Sequence, residues 1–169
     1  MRLPWQAVVG GTLVALVGAA GLVRAAVPEG ASGHSGPELT VSGAFMRAPV
    51  PPTTVAAAYF TVVNSGDAPD RLESVSSDAG PTAALHEDEP DGAMVMLATG
   101  VQIPAHGRVV LTTGHLHVMV ENVYPQVKAG STAHLTLHFR DSGTVRLTVP
   151  VLGIGAPAPT ASASGASRP

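Results

Sequence analysis

From Leu39 onward the chain alternates apolar and polar residues in short runs, each closed by glycine, proline or small polar residues. The clearest is Thr132–Arg140, where Ala133, Leu135, Leu137 and Phe139 alternate with Thr132, His134, Thr136 and His138. A period of two sends the first set to one face of a strand and the second to the other. Val55–Asn64 is rich in β-branched and aromatic residues and reads as a core strand, with Tyr59 and Phe60 on opposite faces. Leu39–Arg47 alternates through Leu39 and Val41, then Ala44 and Met46, which predicts a strand with a bulge at Gly43. Weaker or shorter strands follow at Arg71–Ser76, Thr82–Glu87, Met94–Leu97, Val101–Ile103, Arg108–Thr112, His115–Val120 and Val145–Val151. Turns fall at Asn64–Asp67, Asp78–Pro81, Pro104–Gly107 and Asp141–Gly143, and the proline-rich Ala48–Pro52 cannot be a central strand. No segment carries a strong helical period. About nine short strands with turns between them predict an all-β sandwich or Greek-key barrel.

The two ends read differently. Residues 1–25 have Arg2 ahead of an uncharged run from Ala7 to Val23, with Val23-Arg24-Ala25 at the cleavage-determining positions. This is the pattern of a secretory signal peptide; an uncleaved membrane anchor is the alternative, though the run is short and glycine-rich for a span. Either outcome places the domain outside the cytoplasm, periplasmic or at the cell surface. Residues 26–38 form a Gly/Ser/Pro linker containing His34, and residues 153–169 an Ala/Ser/Pro-rich tail expected to be disordered. The folded domain is expected over residues 39–152, long enough to bury one ordinary core.

Composition narrows the function. Only 12% of the 169 residues are charged and the net charge is −3, which argues against a nucleic-acid binder. The absence of cysteine excludes a disulfide framework, thiolate chemistry and lipid attachment through a cysteine. No serine-nucleophile elbow, H-E-x-x-H or cysteine nucleophile is present, so an enzyme is not expected.

Chemistry concentrates between His86 and Met119. Of five methionines, Met94, Met96 and Met119 fall in this stretch, close in sequence to His86, His115 and His117. On a strand His117 and Met119 share a face, as do Met94 and Met96, and the intervening turns fold these strands back on one another. Two thioethers with two imidazoles suit Cu(I) better than Mg, Ca or Mn, which want oxygen. Structural zinc prefers thiolate or further imidazole. Methionine, though, more often fills a core, and spacing alone leaves both readings open. Glu87–Gly92 is an acidic loop beside these residues, read chiefly as a solvated hairpin, with attraction of cations or of a basic partner as the second reading.

The stretch resembles the copper chaperone PCuAC family, bacterial extracytoplasmic proteins that bind Cu(I). That family spaces a His, a Met and a His-x-Met along the chain; here His86, Met96, His117 and Met119 follow the same order, with each long interval one residue shorter. The family often has methionine just after the first His, where this chain has Glu87, Asp88 and Glu89. Ala57–Leu72, Leu85–Glu87 and Val127–Phe139 also resemble its strands, and the similarity runs from Leu39 to Val151. The resemblance implies a cupredoxin-like β-barrel. It further implies a Cu(I) site of His86, Met96, His117 and Met119. From position in the sequence, Met94 or His115 could replace or supplement a ligand. The partner it implies is a copper-accepting protein, such as the dinuclear CuA centre of cytochrome c oxidase, or a second copper chaperone. The alternatives are copper storage or tolerance and a metal-free β-sandwich interaction module. A blue-copper carrier lacks its required cysteine.

Overall fold

The computed structural model describes residues 35–159; the proposed signal segment, His34 and the last part of the tail lie outside the described residues. Ten strands and no helix form among them: β1 (Leu39–Arg47), β2 (Ala56–Asn64), β3 (Asp70–Ser77), β4 (Thr82–Asp88), β5 (Met94–Met96), β6 (Val101–Ile103), β7 (Arg108–Val110), β8 (His117–Glu121), β9 (Thr132–Phe139) and β10 (Gly143–Leu152). The all-β expectation holds, with ten strands where about nine were expected.

The strands run in the order β5-β4-β8-β2-β1-β10-β9-β3-β6, with β7 pairing along β2 beside the β8 end. All pairings are antiparallel except β1 with β10, the seam between a β5-β4-β8-β2-β1 layer and a β10-β9-β3-β6 layer. The alternating residues meet between the layers. Phe60, Val62, Val118, Val120, Leu85 and Met46 come from the first layer, and Leu72, Leu135, Leu137, Leu147 and Val149 from the second. Met46 is fully buried, the one methionine among the described residues that acts as core filler.

Two bulges adjust which residues reach this core. Gly43 sits at φ 63°, and the β1–β2 register shifts between Ser42 and Phe45, so Val41, Ala44 and Met46 all point inward. A second shift, between Leu72 and Ser74 opposite β9, lets Leu72 and Val75 both reach the core although they are three residues apart. The two-residue alternation of a regular strand therefore breaks inside β3. The turn before β6 depends on Gly100, at φ 73°, where a Cβ would collide with the Leu72 carbonyl oxygen.

Buried carboxylate hydrogen bonds tie the second layer. Asp70, at the head of β3, has no exposed surface and accepts from the amides of Arg71 (2.6 Å), Asp141 (3.0 Å) and Ser142 (2.9 Å). It thereby pins the β9–β10 turn to β3. Burial would push its carboxyl up, but hydrogen bonding from Ser142, Asp141 and Arg71 outweighs that and holds its pKa below 3.8.

Candidate metal centre

The outer face of the first layer is built by register. Met96 of β5 pairs with His86 of β4, and His86 pairs in turn with His117 of β8. Directly opposed residues on antiparallel strands project to the same face. Met119, two residues beyond His117, shares that face. Its partners on either side are Ala84 of β4 and Ala57 of β2, so no bulky side chain stands directly opposite its thioether. His86, Met96, His117 and Met119 are thus brought to one face, while Leu85, Val118 and Val120 turn to the core.

Extending the β2–β8 register one step places Tyr59 beside His117, and Phe45 pairs with Tyr59 across β1–β2. The result is a row across five strands: Met96, His86, His117, Tyr59, Phe45. Ring centroids along it lie 6.1 Å apart for His86–His117, 6.5 Å for His117–Tyr59 and 5.2 Å for Tyr59–Phe45. The Arg47 guanidinium covers the far end, 5.1 Å from the Phe45 centroid. This aromatic wall leaves His117 only 6% exposed although it lies on the outer face of the layer. Met96 at 58% and Met94 at 51% lie open, and Met119 is half-buried.

The two imidazoles are held differently. His117 Nδ1 lies 2.8 Å from the His115 carbonyl oxygen. A carbonyl can only accept, so Nδ1 carries the proton and Nε2 keeps the lone pair, which is the arrangement that prepares a histidine to ligate a metal. The Asp88 carboxylate stands 3.8 Å from the same Nδ1. His86 Nδ1 is buried with no hydrogen-bond partner, the kind of orphaned polar atom that a bound ion would satisfy. Burial, together with the repulsion His117 would exert if both rings took up a proton, outweighs Glu121 and Asp88 and lowers the His86 pKa below 6.5. The ring is therefore neutral at pH 7, as a ligand must be.

The alternatives sort by position. Met94 pairs with Asp88, two register positions away from the histidine row, whereas Met96 lies in it. His115 is not on β8, which begins at His117; it lies in the preceding loop with an exposed side chain and contributes its carbonyl. The strand expected over His115–Val120 thus begins two residues later, and His115 does not line its face. Tyr59 and Asp88 are site neighbours that sequence reasoning did not single out. Tyr59 was legible as facing away from Phe60, but only the β2–β8 register shows what it faces.

Among the described residues, no three His, Asp or Glu side chains gather in a way that could hold a metal. A metal on this face would need the thioethers. His134 and His138 lie on β9; His134 is bound to Asp78, with Nδ1 at 2.6 Å from Oδ2 and its amide donating to Oδ1 at 2.7 Å. His106, exposed in its turn, lies 2.9 Å from Asp67 through Nε2.

A family model described as "Putative lipoprotein LpqE-like" matches residues 39–151. The "Putative lipoprotein Lxx21020" of Leifsonia xyli subsp. xyli is 32% identical over 98 residues, covering 56% of this chain and 59% of that protein. The chain thus spans less than two thirds of that relative. Among solved structures, the copper-bound PCuAC domain from PmoF2 is similar with a TM-score of 0.59 at 29% identity, covering 68% of this chain and 92% of that domain. The Cu(I) form of DR1885 from Deinococcus radiodurans has a TM-score of 0.58 at 28% identity, over 68% of this chain and 78% of that one. These likenesses fit the cupredoxin-like fold implied by the sequence resemblance.

Proposed function

Because this chain belongs to the LpqE-like lipoprotein family and is similar in structure to copper-bound PCuAC domains, we propose that it is an extracytoplasmic Cu(I) carrier rather than an enzyme. Copper is its cargo, held by His86, Met96, His117 and Met119. The observation that carries this reading is the sorting of the methionines. Among the described methionines Met46 fills the core, while Met96 pairs directly with His86 and Met119 shares the outer face with His117, two residues along the same strand. A metal-free module with methionine as packing would bury them instead.

The chemistry follows from the donors. Two neutral thioethers and two neutral imidazoles favour the soft monovalent ion over oxidised copper. The His115 carbonyl presets His117, so little reorganisation accompanies binding. The exposed Met96 leaves one side of the site open to ligand exchange, which suits delivery better than storage. The family's lipoprotein description supports a cell-envelope location. The resemblance to PCuAC chaperones supports an acceptor such as the CuA centre of cytochrome c oxidase.

Anaerobic titration with Cu(I) tests the proposal. One equivalent should bind, and replacing Met96 and Met119 together by leucine should weaken binding at least about tenfold. Full affinity in that double variant would overturn the ligand set.

A further inference from the structure

We infer that the β5 edge and its hairpin form the docking face for the copper acceptor, and that this acceptor presents an apolar patch framed by lysine or arginine. The inference rests on the copper-carrier reading. β5 ends the strand order, and β4 is its one neighbour. Its three residues, Met94, Val95 and Met96, are 51%, 42% and 58% exposed. Val95 projects to the opposite face from the two methionines, so the strand is apolar and open on both sides. The main chain is open too. Glu89 N–H donates to the Ala93 carbonyl and Leu97 N–H to the Leu85 carbonyl, at 2.7 and 2.8 Å. That phase turns the inward bonds of β5 to Val95 and leaves the amides of Met94 and Met96 directed away from β4.

An exposed apolar edge is ordinarily blunted, often with lysine. Here the flanking charges are Glu87, Asp88, Glu89 and Asp91, and no lysine or arginine occurs from residue 72 to residue 107. The hairpin's charge decides between occupants. A second copy of the chain would set these carboxylates against themselves, and an anionic membrane would repel them. A protein with a basic rim is complementary in both charge and apolar character.

The face is continuous with the cargo site, since Met96 is both its most exposed residue and the proposed ligand on the edge strand. Transfer then begins there. The Cu–S bond to Met96 breaks as a bond to an incoming sulfur of the acceptor forms, and copper remains Cu(I) throughout. Charge steers the encounter, and the apolar edge seats it.

The test uses the Cu(I)-loaded full chain and two synthetic acceptor peptides with the same Cys-x-x-Cys core, one flanked by lysines and one by glutamates. Transfer is followed anaerobically by stopped flow at low ionic strength. The lysine peptide should receive copper at least about tenfold faster, and high salt should remove the advantage. The variant E87Q/E89Q/D91N should reduce the advantage to less than about threefold with Cu(I) affinity unchanged. Val95→Ser should slow transfer to both peptides without loss of bound copper. An advantage undiminished in the charge variant, with transfer indifferent to Val95→Ser, overturns the docking face while leaving the carrier reading intact. A chain that binds no Cu(I) overturns the carrier reading itself.

Discussion

Both layers of the fold carry a pair of histidines on their outer faces, and the two pairs are arranged in opposite ways. His86 and His117 lie on adjacent strands in register, with ring centroids 6.1 Å apart. His134 and His138 share a single strand four residues apart, which separates them by about 13 Å. The first pair has Met96 and Met119 on the same face and no carboxylate in hydrogen-bond contact. The second has threonine between its members, and His134 is tied to Asp78. Histidine content says little, therefore, about where a soft metal can bind. Cross-strand register, and whether a ring's nitrogens are already spoken for, decides it.

Breaking the first pair should have the largest effect. His86→Ala with His117→Ala is expected to weaken Cu(I) binding at least about 100-fold, measured by anaerobic competition with a chromophoric chelator. His134→Ala with His138→Ala should leave it within about twofold. Equal losses in the two double variants would erase the distinction.

Asp70 tests the structural character of the second layer. Asp70→Ala leaves the donors of three part-buried hydrogen bonds without their acceptor and should destabilise the fold by about 3 kcal/mol in chemical denaturation. Copper stoichiometry measured in the absence of denaturant should stay at one. A loss below about 1 kcal/mol would mean that the β9–β10 turn does not depend on this clamp.

Acid should act on the two layers in separate windows. His86 titrates lower in the folded chain than its ordinary 6.5, so the unfolded chain takes up that proton first. Its contribution to stability therefore declines as pH falls below 6.5 toward the folded value. For Asp78, burial opposes ionisation, but the His134 amide and ring more than offset it and lower its pKa below 3.8. Its contribution persists down to about that pH and is lost on further acidification. His86→Gln should remove the first decline and leave the second. Bound Cu(I), which requires neutral imidazole, should steepen the first. A stability profile unchanged by His86→Gln between pH 7 and 5 would contradict the assignment.

Met94→Leu should have the smallest effect on copper, less than about threefold in affinity, because Met94 pairs with Asp88 rather than with the histidine row. A loss as large as that of Met96→Leu would exchange their roles.

What the sequence could show depended on local signals. The bulge in β1 was legible because glycine marked it, and Val41, Ala44 and Met46 changed parity around Gly43. The bulge in β3 has no glycine and no break in polarity, and it went unseen until Leu72 and Val75 both proved buried. Within the site, the order His, Met, His-x-Met was readable and singled out four residues. The choice of Met96 over Met94 rests on the β4–β5 register, which a hairpin loop of uncertain phase could not supply. The role of the His115 carbonyl was invisible for a similar reason, since it depends on where β8 begins. Tyr59 joins the row through a non-local pairing that no sequence window contains.

The central claim is the mixed donor set, and X-ray absorption at the copper edge of the Cu(I)-loaded chain reads it directly. The account predicts sulfur and nitrogen scatterers in equal number, with the sulfur contribution falling by half in Met119→Leu. A shell of nitrogen and oxygen alone, unchanged by that substitution, would contradict it.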